Sequence, residues 1–181
     1  AEYTHWNAIG YSWSDPYRGE RVNAFLDQKK DLNIEDMRLL QTDVVSLPAR
    51  ILIPLLDELS FEGLGATLKK QLLNWDQKLE PNSIEAGIYV AWEDELRQQA
   101  HEKFVPEKVK QHLRSIQLKR ILDWIQKPEN SPFKTSTSRN TFLKSTFEEA
   151  LAELTRTLGD DPSQWQYGQK NYKHTSLIHA L

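Results

Sequence analysis

Apolar residues recur at three- and four-residue steps along most of this chain, the periodicity of helices that bury one face. A short helix is predicted from Glu20 to Gln28, with Val22, Phe25 and Leu26 on one side. Asn33 is placed to cap the next, whose apolar residues Ile34, Met37, Leu40 and Val44 follow at helical steps. Ser46 caps a third, with Pro48 tolerated in the first turn. Ile51, Leu52, Leu55, Leu56 and Leu59 give it a broad apolar face. Pro54 is expected to bend it, because proline removes one backbone donor and crowds the preceding turn.

Gly63 and Gly65 punctuate before a helix through Leu68, Leu72 and Leu73. Asn82 and Glu85 form a variant capping box ahead of a helix with Ile84, Ile88, Ala91, Trp92 and Leu96 on one face. Ile116 to Ile125 is a further amphipathic helix, halted by Pro128, and residues 128–140 read as a long polar loop. Phe147, Leu151, Leu154 and Leu158 define the clearest helix, with Gly159 as its C-cap and Pro162 beyond. The tail from Trp165 to Leu181, containing Tyr167, Gly168 and Tyr172, reads as extended or strand-like. The expected fold class is mainly α: one irregular helical domain over residues 1–181 with extended or strand-like N- and C-terminal segments. Within it lie an aromatic entry segment over 1–18, helices over about 19–127, the loop over about 128–140, a helix over about 141–158 and the tail over about 160–181.

Composition narrows the function classes. A chain of 181 residues is long enough to bury a substantial core, and 39% hydrophobic with 27% charged residues is a globular balance. The net charge of −3, with Lys and Arg mixed among Asp and Glu, argues against nucleic acid or an anionic membrane as partner. Zero Cys excludes disulfides and Cys-based zinc sites, and no apolar run is long enough to span a membrane. The opening residues Ala-Glu-Tyr-Thr-His-Trp do not have the pattern of a signal peptide.

Most candidate chemistry is better explained by structure. The five histidines lack metal-ligand spacing: His101 and His112 are far apart, and His174 and His179 have no acidic residue between them. Glu93, Asp94 and Glu95 are consecutive on a helix, so they diverge and read as a solvated face beside Trp92. No Gly-x-Ser-x-Gly elbow or phosphate-binding glycine loop occurs. The six Trp at helical spacing are expected in the core. Arg18 and Arg21 stand apart, because cations near a helix N-terminus oppose the macrodipole unless carboxylates compensate them. Their plain reading is an ion pair that fixes the entry to the first helix.

Four blocks in order carry a resemblance. They are Trp13…Pro16-Tyr17-Arg18-Gly19-Glu20-Arg21-Val22; Asp43…Ser46-Leu47-Pro48-Ala49-Arg50; Leu73-Asn74-Trp75-Asp76 with Ser83…Ala86…Ile88-Tyr89…Trp92; and Leu158-Gly159, Trp165-Gln166-Tyr167-Gly168 with His179-Ala180-Leu181. Together they resemble the β-subunit of the penicillin acylase (penicillin amidase) family of N-terminal-nucleophile hydrolases. The resemblance implies a segment excised from a larger αββα-type hydrolase that cleaves an acyl group from an amide nitrogen, with penicillins, cephalosporins and related N-acyl amides as substrates. In that family the amino-terminal serine of the β-chain attacks the amide, its own α-amine serves as base, and oxyanion donors stabilise the intermediate.

The resemblance assigns one site residue. Arg21 matches the arginine that supports the family's catalytic asparagine and reacting centre. The asparagine itself is not carried over: Asn7 is near, but its surroundings do not match. Calcium belongs to some family members, yet Gly10 stands where their aspartate would be, so no cofactor is assigned to this segment. Asn171 and Ala180 depart from the family's His and Pro, which leaves the tail a packing role. Ala1 has no nucleophilic side chain, so the expectation is an internal β-subunit segment, inactive by itself. Its expected partners are the α-subunit, the N-terminal part of the β-subunit and a small N-acyl amide. The resemblance implies a periplasmic or secreted location. The alternative is a free-standing helical protein-interaction module, with an aromatic face of Trp13, Trp75, Trp92 and Trp124 open to a partner.

Overall fold

A computed structural model of the chain describes residues 15–169. Eight helices form among them: α1 (Tyr17–Asp27), α2 (Ile34–Gln41), α3 (Leu47–Leu52), α4 (Gly63–Leu73), α5 (Ile84–Phe104), α6 (Glu107–Lys110), α7 (Leu118–Gln126) and α8 (Ser136–Leu158). No β-strand forms among the described residues; Val45 and Lys78 share a single antiparallel bridge. The mainly helical class is therefore as expected.

The centre is α5, apolar around most of its N-terminal half. It buries Ala86, Gly87, Ile88, Tyr89, Ala91, Trp92, Leu96 and Ala100. Against it lies α8, which buries Phe142, Leu143, Phe147, Ala150, Leu151 and Leu154. The two pass in opposite senses. Gly87 near the start of α5 meets Trp165 just beyond α8, whereas Phe104 at the end of α5 meets Phe142 near the start of α8. Between these ends, the Trp92 indole donates to Thr146 Oγ1 at 3.0 Å and stands edge-on to Phe147 at 5.4 Å. Trp75 and Trp165 are also buried and Trp124 is half-buried. The open aromatic face of the alternative reading thus does not exist at Trp75 and Trp92, whose rings are core; Trp13 lies outside the described residues.

Local chemistry explains several element boundaries. Asn33 caps α2 as expected, in a reciprocal box with Asp36 (3.0 and 2.9 Å). Val44 falls beyond that helix, and Ile34 is 89% exposed, so the apolar side predicted for α2 is not a core face. Its one buried residue is Asp36, held by Lys29 Nζ. Ser46 caps α3 through the Ala49 N–H at 3.2 Å, with Pro48 in the first turn. Beyond Leu52 the chain tightens into a 3₁₀ segment, Ile53–Glu58, with Pro54 in its first turn. The period shortens accordingly: Ile53, Leu56 and Leu59 are buried at three-residue steps, so Ile53 joins the core from outside the predicted face.

Four other boundaries differ from expectation. Gly63 and Gly65 lie inside the first turn of α4 rather than before it. Ser83, not Asn82, caps α5, its hydroxyl accepting from the Ala86 N–H at 3.0 Å. Residues 128–140 are not one loop: Pro128–Asn130 is a 3₁₀ turn, and Thr135 caps α8 through the Ser138 N–H at 3.1 Å. The described part of the tail is not a strand either. It holds a 3₁₀ turn at Pro162–Gln164, and its Tyr167 and Gly168 N–H groups bond the Ser83 and Pro81 carbonyls at 3.0 and 2.7 Å. α7 carries the stripe Leu118, Ile121, Leu122 and Ile125, and Gly159 ends α8 at φ 91°, as the sequence suggests. No described helix is long and apolar enough to cross a membrane.

Candidate functional site

α1 begins at Tyr17, three residues earlier than the sequence suggested, with the Pro16 carbonyl accepting the Glu20 N–H at 2.9 Å. The fixed φ of proline leads directly into the helix, and Glu20 in the first turn suits the macrodipole. Arg18 and Arg21, three residues apart, consequently share one side of α1. That helix buries no residue. Tyr17 packs against the core from its first turn, and polar contacts add to that hold.

The principal contact is Arg21 with Asp43. Arg21 Nε donates to both carboxylate oxygens at 3.0 and 3.1 Å, and Nη2 donates to Oδ2 at 2.6 Å. Asp43 Oδ1 also accepts the Val45 N–H at 3.0 Å, an Asx turn that fixes the carboxylate before the arginine arrives. Backbone bonds Ser46 N–H to Gln77 O and Leu79 N–H to Val44 O, both 2.9 Å, brace this strip from behind. The Arg21 hydrogen bond holds the Asp43 carboxyl below the usual aspartate range, helped by the Val45 N–H and opposed by burial. The same bond raises the Arg21 guanidinium. The expected ion pair at the helix entry is thus present, with Asp43 as its acid. That pairing is not readable from spacing, because the partners are 22 residues apart and meet only in the fold.

Beside this pair opens a cleft of about 450 Å³. Its walls are Tyr17, Arg18, Arg21 and Val22 from α1, Leu40 and Gln41 from α2, and the strip Asp43 to Pro48 without Val44. Behind it runs a polar chain that the sequence reading missed. The Tyr89 hydroxyl, with the Ser46 side chain beside it, donates to Glu93 Oε2 at 2.5 Å. Arg97 Nη2 lies 3.0 Å from Glu93 and 4.0 Å from Asp15, which in turn accepts the Lys119 N–H at the start of α7 at 2.9 Å. Glu93 is half-buried, so it is not the solvated residue expected; Tyr89 one helical turn earlier turns it inward. Burial, then Glu93, pushes the Tyr89 hydroxyl well above its usual range. Burial, then Asp15, pushes Tyr17 up to about 12. Both phenols stay protonated at neutral pH, and the Tyr89 hydroxyl donates to Glu93.

The described side chains of the cleft bring together two guanidinium groups, one carboxylate and a phenol. Arg21 is locked by its acid, with Nη1 left without a bond among the described residues. No described Ser or Thr hydroxyl is hydrogen-bonded to a histidine; His101 Nε2 instead meets the Leu113 carbonyl at 2.6 Å. No group of three His, Cys, Asp or Glu residues placed to hold a metal ion occurs among the described residues. Asn7, Gly10, His174, His179, Asn171 and Ala180 lie outside the described residues. No significant match to this chain is found among curated proteins. The family model for penicillin amidase matches residues 1–181, and the chain belongs to that family.

Proposed function

We propose that this chain is the helical part of a hydrolase that cleaves an acyl group from an amide nitrogen, and that Arg21 is its positioning residue. The observation that carries the reading is the family match over the whole chain, with Arg21 fixed by Asp43 on the wall of a cleft. A guanidinium held by two bonds from one edge keeps its orientation while its other edge meets a neighbour, which suits support of an oxyanion donor. The nucleophile and the oxyanion donors come from the rest of the parent hydrolase, the partner this reading requires. The parent works in the periplasm or outside the cell. Gly10 offers no side-chain ligand for calcium, so no step assigned here involves a metal.

The test is hydrolysis of a panel of N-acyl anilides by the intact protein produced from its own gene, and by the 181-residue chain alone. The intact protein is expected to release the aniline and the chain alone to release none. Hydrolysis by the chain alone, or by neither, contradicts the proposal.

A further inference from the structure

The balanced charge of the whole chain, which argues against an anionic membrane as partner, is not kept locally. Residues 101–120 hold six of the 23 Lys and Arg but only two of the 26 Asp and Glu. This stretch joins α5 to α7 through α6. Both of its acids, Glu102 and Glu107, pair with Lys110 at 2.5 and 3.0 Å. Lys108 and Arg114 are exposed and have no ion-pair or hydrogen-bond partner among the described residues. The same turn exposes apolar surface. Val109 and Leu113 are 42% and 41% exposed and lie one helical turn apart, the Leu113 N–H donating to the Val109 carbonyl at 3.0 Å. Lys108 directly precedes the first and Arg114 directly follows the second. Much of the backbone here is satisfied from within. The Val109 and Lys110 N–H groups bond the Pro106 carbonyl at 2.8 and 3.2 Å, and the His112 N–H bonds the Val109 carbonyl at 2.9 Å. The Leu113 carbonyl meets His101 Nε2 at 2.6 Å. Such a turn enters a medium poor in hydrogen-bond partners without orphaning these groups.

We propose that the α6 turn docks on an anionic lipid surface, with Val109 and Leu113 entering the interface and Lys108 and Arg114 meeting the phosphate groups. Charge complementarity points to an anionic partner, and the apolar pair separates lipid from an acidic protein. Two aliphatic side chains fall far short of the roughly 1,000 Å² that a specific protein interface covers, whereas lipid closes around a small protrusion. The contact is weak and reversible, each cation strengthening it about fivefold. It stands apart from the amidase reading, since none of these residues lines the Arg21 cleft.

The deciding experiment measures sedimentation of the intact protein with vesicles of phosphatidylcholine alone and of phosphatidylcholine with about one-third phosphatidylglycerol. Binding is expected to the anionic vesicles alone, falling at least about tenfold from low to high salt. Lys108→Gln with Arg114→Gln is expected to weaken it about twentyfold, and Val109→Ser with Leu113→Ser at least about fivefold. Lys70→Gln with Lys127→Gln removes the same charge from exposed positions elsewhere and is expected to change binding less than about twofold. No binding to anionic vesicles, or equal losses in the two charge variants, overturns the proposal. Binding that survives Val109→Ser with Leu113→Ser, and is matched by soluble polyglutamate, overturns it in favour of an acidic protein. If a double change unfolds the protein, its two single changes decide by the same criteria. Vesicle binding is read without turnover, so failure of the amidase reading leaves this test intact.

Discussion

Arg21 and Asp43 join a helix with no fully buried residue to the strip before α3 by a bidentate contact, so small changes there act on both the site and the stability. Their side chains are 23% and 14% exposed, which puts the pair between the surface and core regimes. Asp43→Asn keeps the shape and removes the charge, and is expected to destabilise by roughly 1–2 kcal/mol in urea unfolding at pH 7. The pH dependence follows from the lowered Asp43 pKa. A carboxyl whose folded value lies below its unfolded value of about 3.9 stabilises fully above that value, and the contribution is lost as pH falls through the folded value. The difference between wild type and Asp43→Asn should therefore shrink as pH drops below about 4. A difference that holds constant down to pH 2 contradicts the assignment.

Gly87 shows the other extreme at this scale. A Cβ there would lie 1.9 Å from the Trp165 backbone carbonyl oxygen and 3.0 Å from its carbon. Backbone cannot rotate aside, so Gly87→Ala must separate α5 from the turn after α8, costing at least about 1–3 kcal/mol in thermal or urea unfolding. A variant as stable as wild type would show that the two segments do not meet so closely. The sequence concealed both residues for the same reason. A glycine on a helix face and an aspartate before a cap acquire their meaning from partners 78 and 22 positions away.

At the scale of elements, periodicity located the helices well and their ends less well. The Phe147 to Leu158 spacing, the Ser46 cap and the α7 stripe were readable, because each depends on residues within one or two turns. The starts of α1, α5 and α8 were not, since a cap competes with its neighbours and Thr135 looked like part of a polar loop. The break at Pro54 was legible as a bend, but the re-phasing that buries Ile53 was visible only in the 3₁₀ geometry. The α5–α8 contact supplies a sharp test. Thr146→Val keeps the shape and leaves the buried Trp92 N–H without its acceptor, an expected loss of about 1–3 kcal/mol. Trp92→Phe combined with Thr146→Val removes both polar partners and should cost less than the sum of the single changes. By contrast, α1 has no fully buried residue, so its amides should exchange well before those of α5 in native-state hydrogen exchange. Equal protection across α1 and α5 would mean that α1 belongs to the main cooperative unit.

For the whole molecule, the division of labour is a packed α5–α8 body and a polar-latched entry helix that carries two arginines onto a cleft. A partly exposed polar chain from Tyr89 through Glu93 and Arg97 to Asp15 lies behind the cleft and ties α5 to the start of α7. The family was legible in the order of four weak blocks, no one of which identifies it. Of the proposed site, the sequence singled out Arg21 alone, because the acid that pairs with it and the cleft beside it are products of tertiary placement. The most direct test of the central claim is acyl-anilide turnover by the intact protein in wild type and Arg21→Ala, with helicity checked by circular dichroism. A positioning role predicts that kcat falls at least about tenfold, that KM changes little and that Arg21→Lys recovers part of the loss. Unchanged kcat in a folded Arg21→Ala protein, or a wild type without turnover, would contradict it.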